Sequence, residues 1–230
     1  MKEIHILHLM PKLLSLYGEY GNVAILTKVL TDHGYDVTVN SWESGSLTLE
    51  HYDLVYIGSG TEDNLAEAIR RLAPYTEGIR ASIDGDQPWL ATGNAMAIFG
   101  SSGLDVLPYD TTTDAASRHM GDVLTEDYNG APMVGYINTS CQYEGIAEPL
   151  FRLRFGHQLG NDKGASAGEG IRCHQFYGTQ LIGPVLVKNP HFLEALATRI
   201  AGEPIAVGQD TYLRKAYDVA LQELQKRSGT

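Results

Sequence analysis

The chain opens on an apolar run from Ile4 to Leu9, broken only by His5 and His8, and a glycine-containing stretch follows it. From Asn22 to His33 the apolar residues Val23, Leu26, Val29 and Leu30 recur at helical spacing, and Gly34 stands where a C-terminal cap belongs. Val37 and Val39 alternate within Asp36 to Trp42, which predicts a strand. Asp53 to Ile57 is a continuous β-branched and aromatic run ending at Gly58, as expected of a parallel strand buried on both faces. Leu65, Ile69, Leu72 and Ile79 predict helix through roughly 62 to 82, interrupted near Pro74. Pro88 to Thr92 reads as the next strand, followed by a short helix over Asn94 to Phe99 that Gly100 closes.

This strand-helix alternation predicts an α/β fold with a mostly parallel central sheet flanked by helices. From about 105 to 187 the texture changes to short strands between Gly, Asn and Asp turns, with 121–124 and 133–137 as the clearest and 181–187 as a final strand. Leu159 to Gly170 reads as a Gly-rich loop, and Phe192 to Ile200 and Thr211 to Lys226 read as closing amphipathic helices. With no internal repeat, low-complexity tract or linker, the expectation is a single domain over 1–230.

Charge narrows the partners. Lys and Arg number 17 against 28 Asp and Glu, a formal net charge of −11, and no basic run exceeds Lys226-Arg227. A phosphate backbone would be repelled by that field, which argues against nucleic acid. No stretch approaches the roughly 18 apolar residues of a membrane span, and the first residues lack the features of a signal peptide, so the expectation is a cytoplasmic protein. Cys141 and Cys173 are too few for a disulfide framework and lack zinc-ligand spacing. His5 and His8, three apart on a strand, face oppositely, and no metal or cofactor is expected.

In an open parallel sheet, ligands bind beyond the carboxyl ends of the strands, which directs attention to the loops after Ile57, Thr92 and Leu181. Gly58-Ser59-Gly60 is small enough for its backbone N–H groups to point at an oxyanion. Thr92-Gly93-Asn94-Ala95 is a strand-to-helix turn of the kind that holds a nucleophile on a sharp elbow, yet Gly93 carries no reactive atom.

Seven segments together carry a resemblance: 16–22, 56–60, 88–100, Arg118-His119-Met120-Gly121-Asp122, Val134 to Asn138, Glu169-Gly170-Ile171, and Gly178 to Pro184. In order and spacing the chain resembles the GatD-like glutamine amidotransferase subunits of bacterial lipid II isoglutaminyl synthase, within the class I, cobyric acid synthase-type amidotransferases. The resemblance implies a class I glutamine amidotransferase-like fold. It places the family's catalytic Cys at Gly93 and its catalytic His at Ile182. A substrate-holding Gln falls at Ala97 and an Asn-His pair at Asn138-Thr139, whereas the glutamine-recognising Arg is matched by Arg118. Glu19 matches an acidic position beside the site, although an exposed loop carboxylate is the simpler expectation. The substrate-binding set carried over is thus Arg118, Gly58, Ser59, Gly60, Asn94 and Asn138.

Glycine cannot attack an amide carbon and isoleucine cannot carry a proton, so hydrolysis by thiolate attack and imidazole protonation of ammonia is not expected of this chain. Three readings follow. The first is a degenerate subunit, partner of a Mur-ligase-like ATP-dependent ligase, in amidation of the lipid II D-glutamate. The second is a module that binds glutamine or another small carboxylate without converting it. The third is a glutaminase with its nucleophile relocated to Cys141. Cys173-His174 is a weaker candidate, because neighbours on a strand point to opposite faces.

Overall fold

A computed structural model of the protein describes residues 2–114, 116, 118–127, 129–156, 168–209 and 211–229. The first half alternates as the apolar pattern predicts: β1 (Glu3–Leu9), α1 (Tyr20–Asp32), β2 (Asp36–Trp42), β3 (Leu54–Ile57), α2 (Glu62–Leu72), α3 (Thr76–Asp84) and β4 (Trp89–Thr92). A 3-10 turn over Ala73–Tyr75 separates α2 from α3, because Pro74 lacks the N–H that a continuous helix would need there. The helix expected after β4 is a 3-10 segment, Gly93–Ile98.

The second half contributes β5 (Asp110–Thr113), β6 (His119–Glu126), β7 (Pro132–Thr139), β8 (Cys141–Glu144), β9 (Phe151–Phe155), β10 (Gly168–Glu169), β11 (Ile171–Cys173), β12 (Phe176–Thr179), α4 (Val185–Lys188), α5 (Pro190–Ala201) and α6 (Tyr212–Ser228). The main sheet runs β11-β12-β4-β3-β1-β2. Its strands pair in parallel except at the β11–β12 edge.

Alternate residues of the central strands serve opposite cores. Leu7, Leu9, Val55, Ile57, Trp89 and Ala91 pack toward α2 and α3, where Leu65, Ala68, Leu72, Ile79 and Ile83 meet them. Ile4, Ile6, Leu54, Tyr56 and Leu90 pack on Val23, Leu26 and Leu30 of α1 and Leu193, Leu196 and Ala197 of α5. This period of two explains why these strands read as continuous apolar runs rather than half-polar ones.

A second, antiparallel sheet, β10-β9-β6-β7, is a feature that the short strands around 121–124 and 133–137 only hinted at. One of its faces adds Val123, Met133, Ile137 and Phe151 to the α1/α5 core. The other is covered by α6 through Tyr217 and Leu224 against Leu124 and Val134.

The expected strand over 181–187 does not form. The last parallel strand ends at Thr179, Ile182 makes an isolated bridge to Tyr136, and Val185–Lys188 is helical. Gly183 at φ +72° and Pro184 turn the chain there, and Pro184 has no N–H for a ladder. The Gly-rich loop over Leu159 to Gly170 lies, up to residue 167, outside the described residues.

Candidate functional site

β3 and β4 are neighbours in parallel register, Ile57 opposite Ala91, so the loops leaving their carboxyl ends emerge side by side. Gly93 has φ +62°, a left-handed conformation that an L side chain adopts only with strain. A β-carbon added there would lie 2.6 Å from Ser59 Oγ, 2.7 Å from Ser59 Cβ and 2.9 Å from Ile182 Cγ2. The two positions that the resemblance assigns to nucleophile and base are therefore spatial neighbours. The space between them is closed by Ser59 from one side and Ile182 from the other.

The loops are locked to each other. Asn94 Nδ2 donates to the Gly60 carbonyl at 2.8 Å, and the Gly60 N–H donates to Asn94 Oδ1 at 3.2 Å. The Gly60 amide, expected to be free for an oxyanion, is thus engaged by a side chain. Gly58 lies beneath the loop, where an added β-carbon would be 2.9 Å from Glu19 Cβ and 2.9 Å from the Leu14 carbonyl.

Ser59, Glu62, Arg118, Asn138 and Ser140, with Tyr17 at the rim, enclose a cavity of about 210 Å³. Of the six substrate-binding candidates, Ser59, Gly60, Asn94, Arg118 and Asn138 line it and Gly58 does not. Ser59 is buried, and its hydroxyl has no hydrogen-bond partner among the described residues. Arg118 donates through one nitrogen to Asn138 Oδ1 at 3.0 Å and through another to the Glu62 carboxylate. Asn138 Nδ2 in turn donates to the Tyr17 hydroxyl at 2.8 Å, and Ser140 Oγ donates to Glu62 at 3.0 Å.

Glu62 is set by local structure. Thr61 caps α2 by accepting the Asn64 N–H, which makes Glu62 the first helical residue, with its carboxylate at the positive end of the helix. Its own backbone N–H, then Ser140 and Arg118, hold the carboxyl below its ordinary value against a smaller desolvation effect. No site role for Glu62, Ser140 or Tyr17 emerged from sequence; the signals were the acidic helix start at Thr61-Glu62-Asp63 after Gly60 and the place of Tyr17 in the 16–22 segment.

Glu19, expected as an exposed loop carboxylate, is fully buried. One of its oxygens receives the Tyr56 hydroxyl at 2.9 Å, Asn22 Nδ2 at 3.2 Å and the Thr92 hydroxyl; the other receives the Gly183 N–H at 3.2 Å. The correction has a physical basis: the chain before α1 folds under the ends of β3 and β4, where these donors converge. Burial raises the Glu19 carboxyl, while the donors from Thr92, Gly183 and Tyr56 oppose the rise. Nearby, Lys188 donates to the Ile182 carbonyl at 3.4 Å, and burial lowers its ammonium.

Cys141 is 1% exposed, sits 3.6 Å from Thr113 Oγ1 and packs in the α2/α3 core; Thr139 and Ser140 line the cavity but Cys141 does not. Cys173 ends β11, and the His174 that follows has φ +52° in the turn to β12, pairing with Asp86 rather than with the thiol. A larger groove of about 830 Å³ lies at the opposite, amino-terminal edge of the sheet, between the 47–53 loop and α3. The smaller cavity is the functional candidate because the strand ends, the Arg and the unpartnered Ser59 hydroxyl converge on it.

No family model matches the chain. It is 26% identical over 200 residues to the GatD subunit of lipid II isoglutaminyl synthase (glutamine-hydrolyzing) of Staphylococcus aureus (strain N315), covering 82% of this chain and 81% of that one. To the GatD subunit of Streptococcus pneumoniae (strain ATCC BAA-255 / R6) it is 25% identical over 237 residues, covering 96% and 89%. Among solved structures, a glutamine amidotransferase from Thermotoga maritima superposes with a TM-score of 0.55 at 13% identity, over 98% of this chain and 94% of that one. A chain of PurLQS from Thermotoga maritima superposes with a TM-score of 0.53 at 17% identity, over 97% and 100%. The protein is GatD-like in sequence over most of its length and has the α/β fold of the class I glutamine amidotransferases.

Proposed function

We propose that the chain is a GatD-like subunit that does not hydrolyse glutamine and that serves a Mur-ligase-like, ATP-dependent ligase in amidation of the lipid II D-glutamate. The observation that carries this reading is the closed space over Gly93: no side chain fits there without meeting Ser59 and Ile182, and neither position bears a nucleophile or a base. Loss of a nucleophile from a hydrolytic triad costs on the order of a millionfold in kcat. The likeness to GatD subunits of lipid II isoglutaminyl synthases supports a partner, and the nitrogen donor is then free ammonia or another amine.

The test combines the purified chain with the Mur-ligase-like protein of the same host, lipid II and ATP, and offers either ammonium or glutamine. Product with ammonium and none above background with glutamine is the expected result. Glutamine-driven amidation, with Gly93 and Ile182 intact, overturns the reading.

One observation favours a second, compatible role. The cavity keeps Arg118 beside Asn138 and the unpartnered Ser59 hydroxyl, a set suited to a small carboxylate such as that of glutamine. Calorimetric titration with glutamine and glutamate tests it, and absence of heat at millimolar ligand with folded protein rejects it.

A further inference from the structure

The cavity is not an open receptor for an anion. The Glu62 carboxylate already sits on Arg118 and accepts from Ser140, so the one cation that lines the cavity among the described residues is neutralised from within the chain. The contact joins the first turn of α2 to the segment leading into β6, and therefore exists only through the tertiary fold. It is also incomplete. Arg118 gives Glu62 one nitrogen and spends another on Asn138, whereas a guanidinium can hold a carboxylate with two parallel bonds. Glu62 and Arg118 are each more than one-third exposed, so the pair is a cheap one to exchange. The Ser59 hydroxyl, from a residue that lines the same cavity, is buried and has no hydrogen-bond partner among the described residues. At about 210 Å³ the space is smaller than the usual drug-sized pocket and suits one small metabolite.

We propose that Glu62 is a built-in competitor: its carboxylate caps Arg118, and the cavity takes a small carboxylate the size of a free amino acid only by displacing that cap. The proposal rests on the reading that the cavity retains a carboxylate-binding role. An entering carboxylate and Glu62 compete for the same guanidinium and repel one another. Removing the Glu62 charge therefore tightens binding, and removing Arg118 abolishes it. Ser140 donates to the same Glu62 oxygen that Arg118 holds and so fixes the cap in place; its loss acts in the same direction as loss of the Glu62 charge, but more weakly.

The experiment is calorimetric titration of L-glutamate and L-glutamine into the full chain as wild type, Glu62→Gln, Ser140→Ala, Arg118→Ala and the Glu62→Gln/Arg118→Ala pair, with acetamide as a ligand lacking a carboxylate. Thermal melts establish that each variant is folded. The expected result is at least about a tenfold lower Kd for both amino acids in Glu62→Gln, a smaller gain in Ser140→Ala, and no binding in either Arg118 variant or with acetamide. Weaker binding in Glu62→Gln overturns the proposal by making Glu62 a ligand for the amino group. Unchanged affinity in Glu62→Gln, with binding still lost in Arg118→Ala, overturns the cap and leaves the carboxylate seat standing. Absence of heat in every folded variant overturns both. None of these results bears on whether the chain hydrolyses glutamine or joins a ligase, which the amidation assay reads separately.

Discussion

Ser59 Oγ lies 2.6 Å from the point at which a β-carbon on Gly93 would stand. The hydroxyl of one strand-end loop thus occupies the place that a nucleophile on the neighbouring loop would need. Gly93 is held as glycine twice over, by its left-handed φ and by its lack of room. Simple back-substitution therefore cannot rebuild a working elbow.

Gly93→Cys is expected to destabilise the protein by roughly 1–3 kcal/mol through overpacking and positive-φ strain, and to show no glutaminase activity. Adding Ser59→Gly recovers part of that stability by removing the nearest contact. Urea unfolding of the single and double variants checks this. Equal stability of wild type and Gly93→Cys refutes the closed-space account.

Glu19 gathers donors from Tyr56, Asn22, Thr92 and Gly183 in a fully buried setting. Glu19→Ala removes the acceptor these donors share, leaving Tyr56 with the Glu19 backbone carbonyl, Asn22 and Thr92 with the Tyr56 hydroxyl, and the Gly183 N–H without its carboxylate acceptor; it is expected to cost about 2–3 kcal/mol, whereas Glu19→Gln, which keeps one acceptor oxygen, costs less. Chemical denaturation midpoints at constant m-value give the comparison. A loss below about 1 kcal/mol in Glu19→Ala shows that the network contributes little.

His8 is buried against the Tyr56 ring, and desolvation lowers its pKa to about 4. An imidazole whose folded pKa lies below its unfolded value of about 6.5 binds a proton more readily when the chain is unfolded. Its contribution is therefore present above pH 6.5 and is lost as pH falls from there to about 4, by roughly 3 kcal/mol in all. His8→Phe is expected to flatten that acid limb in stability-versus-pH curves, and an unchanged limb assigns it to other groups.

Glu169 runs the opposite way. Burial raises its carboxyl to about 7, against donors from the Gln180 N–H and the Thr179 hydroxyl. The folded state holds this proton more tightly than the unfolded chain, so the contribution is complete below the unfolded pKa of about 4.5. It is lost as pH rises to about 7. Glu169→Gln, uncharged throughout, is expected to remove the decline in stability over that window, measured by denaturation at pH 5 and pH 8. A decline that persists in the variant rejects the assignment.

Cys141, at 1% exposure, is expected to resist alkylation by iodoacetamide until denaturant is added, and Cys141→Ala to leave every ligand titration unchanged. Peptide mass mapping reads which thiol is modified. Rapid native labelling of Cys141 would reopen the relocated-nucleophile reading.

What the chain determined by itself was its local order. The spacing of Val23, Leu26, Val29 and Leu30 set α1, the continuous runs at Leu54 to Ile57 and Trp89 to Thr92 set two buried parallel strands, and Pro74 set the break between α2 and α3. The absence of reactive side chains at Gly93 and Ile182 was equally legible once the resemblance had picked out those two positions, because it then needs only the identity of the residues. Period and identity are local properties, and sequence displays them directly.

Only the tertiary structure decided where non-local groups meet. Glu19 reads as a loop carboxylate and is buried because Tyr56, Thr92 and Gly183 converge on it from three other segments. Ile182 looks like part of a strand, but Gly183 and Pro184 turn the chain and leave its side chain against Gly93. Glu62 and Arg118 are separated by 56 positions in sequence, and no periodicity marks either as a partner of the other. Pair contacts of this kind depend on how the sheet brings strand ends together, and that three-dimensional geometry turns an open turn at Gly58-Ser59-Gly60 into a closed and self-capped cavity.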